Sequence, residues 1–321
     1  MGEFDLIDRF FKRPARRADL GVGDDCALLS PRPGHQLALS TDMLVEGRHF
    51  LSTADPVRLG HKCLAVNLSD LAACGAEPRA FLLSLALPRA DESWLGGFSQ
   101  GLFALADAHG CELIGGDTTQ GPLNISITVI GDVPRGLALL RSGAQKGDDI
   151  YVSGSLGDAR LALEAFRGHL SLPESVFARC RERMERPLPR VALGMALRGI
   201  ASAAADISDG LLGDMGHILR QSGVGAQLHV DACENLLACR HEIDLPASWR
   251  RTCTLSGGDD YELVFTAPPS RRSAVEQAAQ ISQTPVTRIG TITQAPGVEL
   301  LDAQSQRVTT RFASFDHFAQ D

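Results

Sequence analysis

The chain has 321 residues, which exceeds the usual size of one hydrophobic core and therefore predicts two domains. With 44% hydrophobic and 22% charged residues, its composition is typical of a soluble globular protein. No apolar run approaches the roughly 18 to 20 residues that a membrane-spanning helix needs, so we expect no membrane association. The net charge of −8 disfavours a nucleic-acid partner, which normally requires a basic surface.

The eight cysteines are scattered along the chain, with no Cys-x-x-Cys pair and no clustering with histidine. This pattern argues against a zinc site and against a disulfide scaffold. We expect most of them to be small core residues in a reducing compartment. The first eight residues are acidic where a secretory signal would be basic, which favours a cytoplasmic location.

Segments typical of strands and helices alternate in the first half of the chain, which predicts an α/β or α+β architecture. A strand is predicted at 36–40, with Thr41 and Asp42 at its end. Asp55 followed by Pro56 is a typical helix start, and this helix should continue to about Ala73. The next predicted elements are a strand at 80–87, a helix at 94–108, a short strand at 111–114 that ends in Gly115-Gly116-Asp117, and a strand at 123–133.

The stretch from Pro134 to Lys146 is the expected domain boundary, which gives an N-terminal domain at 1–140 and a C-terminal domain at 141–321. The second domain should contain a strand at 149–153 and a helix at 159–166. Asp206 to Asp209 should open a further helix, whose apolar positions 211, 212, 215, 218 and 219 follow the helical period. Late strands are predicted at 261–267 and 286–293.

Six short motifs place carboxylates or hydroxyls together, mostly beside glycine. If the fold gathers them, each close pair of carboxylates repels by about 4 kcal/mol at an effective dielectric near 20, so a cation must lie among them. Hard oxygen ligands favour Mg²⁺ or Ca²⁺, and the sequence therefore predicts a site where divalent ions bind polyphosphate. The motifs are Gly23-Asp24-Asp25, Ser40-Thr41-Asp42, Asn67-Leu-Ser-Asp70, Gly115-Gly116-Asp117-Thr-Thr, Asp206-Ile-Ser208-Asp209-Gly210 and Gly257-Gly258-Asp259-Asp260-Tyr.

Each motif taken alone has an ordinary structural explanation. Asp and Gly are common turn residues, and Asp209 can simply cap a helix. Gly115 to Thr119 fits either a tight turn or a phosphate cradle, and Arg141 either a phosphate contact or a solvated side chain. A lone histidine such as His49 is more often structural than catalytic. The chain contains no P-loop, protein-kinase or Gly-x-Ser-x-Gly motif, and the EF-hand pattern fails after Asp206 because Leu211 stands where glycine is required.

Taken together and in order, nine stretches resemble the thiamine-monophosphate kinase family, in the superfamily that includes aminoimidazole ribonucleotide synthetase. The resemblance covers nearly the whole chain. The stretches are Gly2–Ile7, Gly21–Leu29, Ser40–Phe50, Ala65–Ala73, Leu113–Thr119, Arg141–Ala144, Asp206–Leu211, Gly257–Leu263 and Phe315–Phe318.

The resemblance implies an aminoimidazole ribonucleotide synthetase-like fold, with an N-terminal mixed-sheet domain that forms a homodimer and a C-terminal α+β domain that completes the active-site cleft. It implies ATP-dependent phosphorylation of thiamine monophosphate to thiamine diphosphate, assisted by several Mg²⁺ ions. The implied metal ligands are Asp25, Ser40, Thr41, Asp42, Asp70, Asp117, Asp206 and Asp209. The implied ATP contacts are Gly116, Asp117, Arg141 and Ser208, and the implied substrate contacts are His49, Asp259 and Phe315.

Two positions depart from the family pattern: Phe315 stands where tryptophan is common, and Asp259 where glutamate is common. The first keeps an aromatic surface but removes an N–H donor, and the second shortens the carboxylate by one methylene. Two alternatives to this function remain open. In the first, the chain is another ATP-dependent member of the superfamily; in the second, it is a homologue that binds divalent metal and nucleotide without catalysis. The members that depend on a cysteine near a terminus fit poorly, because the first cysteine here is Cys26, inside the Gly-Asp-Asp motif.

Overall fold

The computed structural model describes residues 2–310 and 312. The chain divides into two compact units, the first containing Met1–Leu71 and Ala76–Gly136, the second Ala72–Gly75 and Leu137–Asp321. The chain thus leaves unit 1 after Gly136, within the stretch from Pro134 to Lys146 where the sequence predicts the domain boundary. No helix in the described part of the chain is long and apolar enough to cross a membrane.

The N-terminal part of the chain forms a four-stranded mixed sheet with three helices. The strand order is β1-β4-β2-β3, in which only β2 and β3 run parallel. The elements are α1 (Glu3–Phe10), β1 (His35–Val45), α2 (Pro56–Ala73), β2 (Glu77–Leu87), α3 (Glu92–Ala108), β3 (Glu112–Gln120) and β4 (Asn124–Pro134).

The two faces of this sheet differ in burial. On one face Ile127 and Val129 of β4 are fully buried, and Leu71 of α2 packs there beside Gly131. On the other face β1 exposes Leu39 to 63% and Met43 to 55%. We call the buried face the inner face and the exposed one the outer face.

Helices α2 and α3 touch backbone to backbone through glycines. A Cβ atom placed on Gly60 would lie 2.0 Å from the carbonyl oxygen of Phe98, and one on Gly101 would lie 1.8 Å from that of Val57. Real side chains never approach that closely, so only glycine allows this contact. The two helices are therefore held at a fixed, short separation.

Unit 2 contains a six-stranded sheet of order β10-β7-β9-β5-β8-β6, antiparallel except for the β10–β7 pair. One buried apolar cluster lies around α7 and this sheet, and a second lies around α4 and α5. The elements are β5 (Asp149–Ser153), α4 (Asp158–Phe166), α5 (Glu174–Glu185), α6 (Val191–Ala196), β6 (Ala203–Ile207), α7 (Leu211–Ser222), β7 (Gly225–His229), α8 (Val230–Glu234), α9 (Ala247–Ser256), β8 (Glu262–Ala267), α10 (Arg272–Ile281), β9 (Val286–Thr293) and β10 (Gly297–Leu301).

Most predicted elements are confirmed to within a few residues, and the predicted apolar face of α7 is buried. Three boundaries were wrong. Strand β1 continues to Val45, so Thr41 and Asp42 lie within it, because its pairing with β4 continues that far. Strand β3 likewise runs through Gly115 and Gly116, because β2 pairs with it up to Leu87. Helix α7 begins only at Leu211, since Asp206 still belongs to β6.

Candidate functional site

Strand β1 and helix α2 bring three of the predicted metal ligands together. The hydroxyl of Ser40 donates a hydrogen bond of 2.5 Å to Oδ2 of Asp70. The backbone N–H of Asp42 donates at 3.0 Å to Oδ1 of Asn67, whose amide donates to the carbonyl of Cys63. Ser40 and Asp42 lie two positions apart in a strand and so share one face. Ser40, Asp42 and Asp70 therefore form one oxygen-rich group at the edge strand of the sheet, which we call the Asp70 group.

The register assigns this group to the inner face. Ser40 pairs with Val129 and Asp42 with Ile127, and both partners are fully buried. Thr41 lies between them and faces the other way, where its hydroxyl is 2.8 Å from that of Thr128. Thr41 is thus not part of the Asp70 group, although its neighbours on both sides are.

Asp117 also lies on the outer face. It pairs with Ser84 of β2, while the next residue along, Thr118, pairs with the buried Leu85. Strand β3 is three strand spacings from β1, which is about 14 Å. Within one chain, Asp117 is therefore separated from Asp42 both by face and by distance.

Gly116 has a packing role in the structure. Its φ is +148°, and a Cβ atom there would lie 1.9 Å from the carbonyl oxygen of Leu83. Glycine at this position thus allows the backbone of β3 to lie close to the backbone of strand β2. This contact holds the strand that carries Asp117 tightly against its neighbour.

Asp25 and His49 occupy loops of unit 1. Asp25 is exposed, and its backbone N–H donates to the carboxylate of Asp24 at 2.8 Å. His49 follows β1, and its Nδ1 accepts the backbone N–H of Val45 at 3.0 Å. A backbone N–H can only donate, so Nδ1 carries no proton and Nε2 is the nitrogen that faces away from this bond.

In unit 2 the loop between β6 and α7 is held by a buried carboxylate. Oδ2 of Asp214 accepts the backbone N–H groups of Ser208 at 3.0 Å and of Asp209 at 2.9 Å. Burial raises the pKa of Asp214 to about 7, and the charge of Asp209 also raises it, against the lowering effect of these two hydrogen bonds. The loop that carries the predicted ATP contact Ser208 and the predicted metal ligand Asp209 is therefore held by Asp214, a residue that the sequence motifs do not include.

The predicted substrate residue Asp259 lies beside this loop. Its backbone N–H donates to the carbonyl of Ser208 at 2.7 Å, and that of Tyr261 donates to Ile207 at 2.8 Å. Asp259 and Tyr261 have φ values of +63° and +53°, which residues with side chains adopt rarely. Such strain persists only where the surrounding structure imposes it, and it often marks a functional segment. Asp260, by contrast, is buried and accepts the backbone N–H of Gly157 at 2.9 Å.

Arg141 lies at the same end of unit 2. Leu140, its neighbour, accepts the backbone N–H of Ala204 in β6 at 2.9 Å. The positive charge of Arg141 opposes the rise in the pKa of Asp214, and after burial it is the largest cause of the lowered pKa of His217. The fold thus brings the guanidinium near the loop that carries Ser208 and Asp209.

The fold thus brings some of the predicted site residues together in two groups, one in each unit, while Asp25, Thr41, His49 and Asp117 lie outside both groups. Sequence reasoning missed Asp214, for which the only available signal was an acidic residue in the first turns of α7. The sequence analysis treated Asn67 as part of an acidic motif, whereas in the structure its side-chain oxygen accepts the backbone N–H of Asp42. Phe315 lies outside the described residues.

The chain matches family models over both of its units. The model of the AIR synthase related protein N-terminal domain matches residues 23–133, and that of the C-terminal domain matches residues 145–303. Thiamine-monophosphate kinase of Salmonella typhimurium is 46% identical over 99% of this chain and 98% of the relative.

Solved structures agree with these matches. The crystal structure of thiamine-monophosphate kinase from Stenotrophomonas maltophilia is 46% identical, with a TM-score of 0.83 over 92% of this chain and 94% of that one. AaThiL complexed with AMPPCP and TMP is 30% identical, with a TM-score of 0.76 over 90% of this chain and 89% of the other. The chain therefore belongs to the AIR synthase related family and, within it, to the thiamine-monophosphate kinases.

Proposed function

We propose that this chain transfers the γ-phosphoryl group of ATP to thiamine monophosphate, giving thiamine diphosphate and ADP. Full-length identity to kinases of this name supports the proposal, as does the related AaThiL structure with AMPPCP and TMP. The observation that carries it for this chain is that the fold brings predicted site residues together within each unit. In unit 1 these are the residues of the Asp70 group, and in unit 2 they are the predicted ATP contact Ser208 and the predicted metal ligand Asp209, on the loop held by Asp214.

The Asp70 group has the chemistry of a magnesium site. Its ligands are a hydroxyl and carboxylates, with the amide oxygen of Asn67 already used by the backbone of Asp42. Hard oxygen donors without nitrogen or sulfur are the ligands that Mg²⁺ prefers. The residues of this group would hold Mg²⁺, which would supply positive charge to offset the negative charge of the transferred phosphoryl group. The proposed ligand set extends beyond this group and includes Thr41 and Asp117, which lie on the outer face of the sheet. The full set is Asp25, Ser40, Thr41, Asp42, Asp70, Asp117, Asp206 and Asp209.

The protein itself has to align two polyanions, and the proposal requires no general base. The attacking atom is an oxygen of the substrate phosphate, whose second pKa is near 6 by analogy with phosphorylated side chains, so it is largely deprotonated at pH 7. In-line transfer then depends on positioning. We assign Gly116, Asp117, Arg141 and Ser208 to ATP, with Arg141 as a fixed positive charge. We assign His49, Asp259 and Phe315 to thiamine monophosphate.

We further propose a homodimer in which the outer faces of two unit 1 sheets pack together. The exposed Leu39 and Met43 on that face are apolar side chains of the kind that such interfaces bury. Closing two four-stranded sheets into one barrel-like assembly would bring edge strand β3 of one chain near edge strand β1 of the other. Strand β3, which carries Asp117, would then lie beside the partner's strand β1, which carries Thr41 and Asp42, whereas within one chain these two strands are three strand spacings apart.

Two further elements of the proposal concern location and the role of the second unit. All eight cysteines are free thiols, which supports a reducing, cytoplasmic location where ATP is also available.

We also propose that residues 141–321 complete the active-site cleft, since this part of the chain carries Arg141, Ser208 and Asp259.

The direct test measures ADP release from Mg-ATP with thiamine monophosphate, beside thiamine and no-substrate controls. ADP formed only with the monophosphate, together with an equal amount of thiamine diphosphate, is the expected result. ADP released equally in all three reactions would contradict the substrate assignment. Metal-dependent ATP binding without turnover would favour the non-catalytic alternative and return the substrate question to the wider superfamily.

A further inference from the structure

Unit 2 contains a buried cluster of metal-binding side chains that the phosphoryl-transfer residues do not include. Asp158 begins α4, Cys180 lies in the middle of α5, and Cys239 follows α8. One ligand atom of each lies within 4.8 Å of both others, and the sulfur of Cys180 is 4.0 Å from Oδ1 of Asp158. The two cysteines are distant in sequence, so their spacing gave no signal of this contact.

The carboxylate in this cluster lacks an ion pair of its own among the described residues. Burial raises the pKa of Asp158, against the attraction of Arg183. The guanidinium of Arg183, however, makes its ion pair with Glu262, at 2.7 Å. Asp158 accepts hydrogen bonds from the backbone N–H of Ala238 at 3.4 Å, from Ser155 and from the thiols of Cys180 and Cys239. None of these partners carries a full positive charge, and a buried acidic group without a charged partner is costly, so a cation bound here would stabilise the carboxylate.

The two thiols are shielded from solvent. Cys180 is 1% and Cys239 3% exposed, and both lie in the apolar cluster around α4 and α5. The contact with Cys239 and burial raise the pKa of Cys180. Protonated, buried thiols react slowly with oxidants, which disfavours a regulatory disulfide at this position.

We propose that Asp158, Cys180 and Cys239 bind a thiophilic divalent ion of the zinc group. Two thiolate sulfurs at ~2.3 Å from a tetrahedral zinc ion lie about 3.8 Å apart, which is within the separations found here. Two sulfurs and one carboxylate oxygen supply three protein ligands and leave a fourth coordination position, an arrangement that zinc adopts. Binding releases the two thiol protons and gives the buried carboxylate a cationic partner.

Such an ion would join three parts of the fold. Helix α4, helix α5 and the segment after α8 would each supply one ligand. Cys180 and Asp158 use sulfur and a single carboxylate oxygen, whereas the Asp70 group uses oxygen alone, so the two sites should select different metals. The proposed site therefore uses ligands separate from those of the proposed kinase activity.

The test is a titration of the reduced full-length protein with Cd²⁺ in excess Mg²⁺, which saturates oxygen sites. We expect one equivalent to bind with the ultraviolet absorption of cadmium thiolate, to be displaced by Zn²⁺, and to raise the thermal unfolding temperature. Cys180→Ala and Cys239→Ala should each abolish the absorption. Asp158→Asn, which keeps the side-chain volume, should weaken binding by about 10-fold or more, on the order of other ligand losses.

Cys233→Ala is the matched control, because Cys233 is a buried thiol in the other apolar cluster, and it should leave binding unchanged. Circular dichroism establishes that each variant is folded before titration. Three results would overturn the proposal: no thiolate absorption in the folded wild-type protein, absorption that survives in Cys180→Ala, or a Cys180–Cys239 disulfide that forms readily while Cd²⁺ does not bind.

Discussion

The hydroxyl of Ser40 donates a hydrogen bond to the carboxylate of Asp70, and this bond of 2.5 Å joins edge strand β1 to helix α2. The relationship fixes the orientation of a carboxylate that is half-buried at the edge of the sheet. A carboxylate has about four lone-pair sites, and the Ser40 hydroxyl occupies one of them.

Asp70→Asn tests the charge of this group without changing its size. The asparagine oxygen can still accept the Ser40 hydroxyl, so the protein should stay folded, but the negative charge that attracts Mg²⁺ is lost. We expect turnover to fall by about 100-fold or more. The measurements are ADP release and thermal unfolding of both proteins. Activity close to that of the wild type would remove Asp70 from the metal site.

Mixing two inactive variants tests the shared site of the proposed homodimer. Asp42→Asn and Asp117→Asn should each be inactive alone. In a mixed dimer, one of the two sites would receive both substitutions and the other neither. Unfolding and refolding an equal mixture should therefore restore about a quarter of the wild-type activity, because half of the dimers are mixed. No recovery, with mixed dimers demonstrated by mass, would mean that Asp42 and Asp117 act within one chain.

Asp214 is a positioning residue in this structure, since it accepts two N–H groups of the loop that carries Ser208 and Asp209. Asp214→Ala removes both bonds and should raise KM for Mg-ATP by about 10-fold or more, as loss of residues behind a metal ligand does. Asp214→Asn keeps an acceptor oxygen and should recover most of the affinity. Steady-state kinetics with varied Mg-ATP distinguishes the two variants. Equal losses in both would show that the charge matters and not the hydrogen bonds.

Glu77 gives a prediction for the dependence of stability on pH. Hydrogen bonds and charge from Arg32, and then Arg17, lower its pKa to about 2. A lowered pKa means that the native state binds fewer protons than the unfolded state, so this stabilisation is present above the ordinary pKa of 4.5 and is lost as the pH falls towards 2.

Glu77→Gln should therefore destabilise the protein at pH 7, and the difference from the wild type should shrink between pH 4.5 and 2. Urea unfolding at several pH values measures this difference. The exposed Glu276 provides the control, since Glu276→Gln should have little effect at any pH. A constant difference across the range would mean that Glu77 contributes through packing alone.

Gly116→Ala tests the close contact between β3 and β2. The added methyl group would meet the carbonyl oxygen of Leu83 at 1.9 Å and would require an unfavourable φ. We expect a loss of about 2 to 4 kcal/mol in the free energy of unfolding. Gly121→Ala is the control, because its nearest neighbour is the Cβ of Ala86 at an ordinary 3.6 Å. Similar effects in both would mean that the contact with Leu83 is not the cause of the destabilisation.

The local elements could be predicted because their signals are local. The Asp55-Pro56 start and the alternation in β4 both gave nearly correct bounds. The face on which Asp117 lies could not be predicted, because a register irregularity between Phe81 and Leu82 sets it through pairing with β2. The contact between Cys180 and Cys239 joins residues that are distant in sequence, and the hydrogen bonds that Asp214 accepts join helix α7 to the loop before it. Neither follows from the local sequence pattern. The motifs therefore supplied the candidate residues, and the sheet register separated them into groups.

The backbone contact between α2 and α3 gives Gly60 an influence at a distance. Gly60 and Asp70 both belong to helix α2 and lie about 15 Å apart along its axis. A methyl group at Gly60 would clash with the carbonyl oxygen of Phe98 and would shift the helix, which would move the Asp70 carboxylate away from Ser40. Residue 60 touches no ligand of the proposed site, yet its lack of a side chain helps to decide where one of them lies.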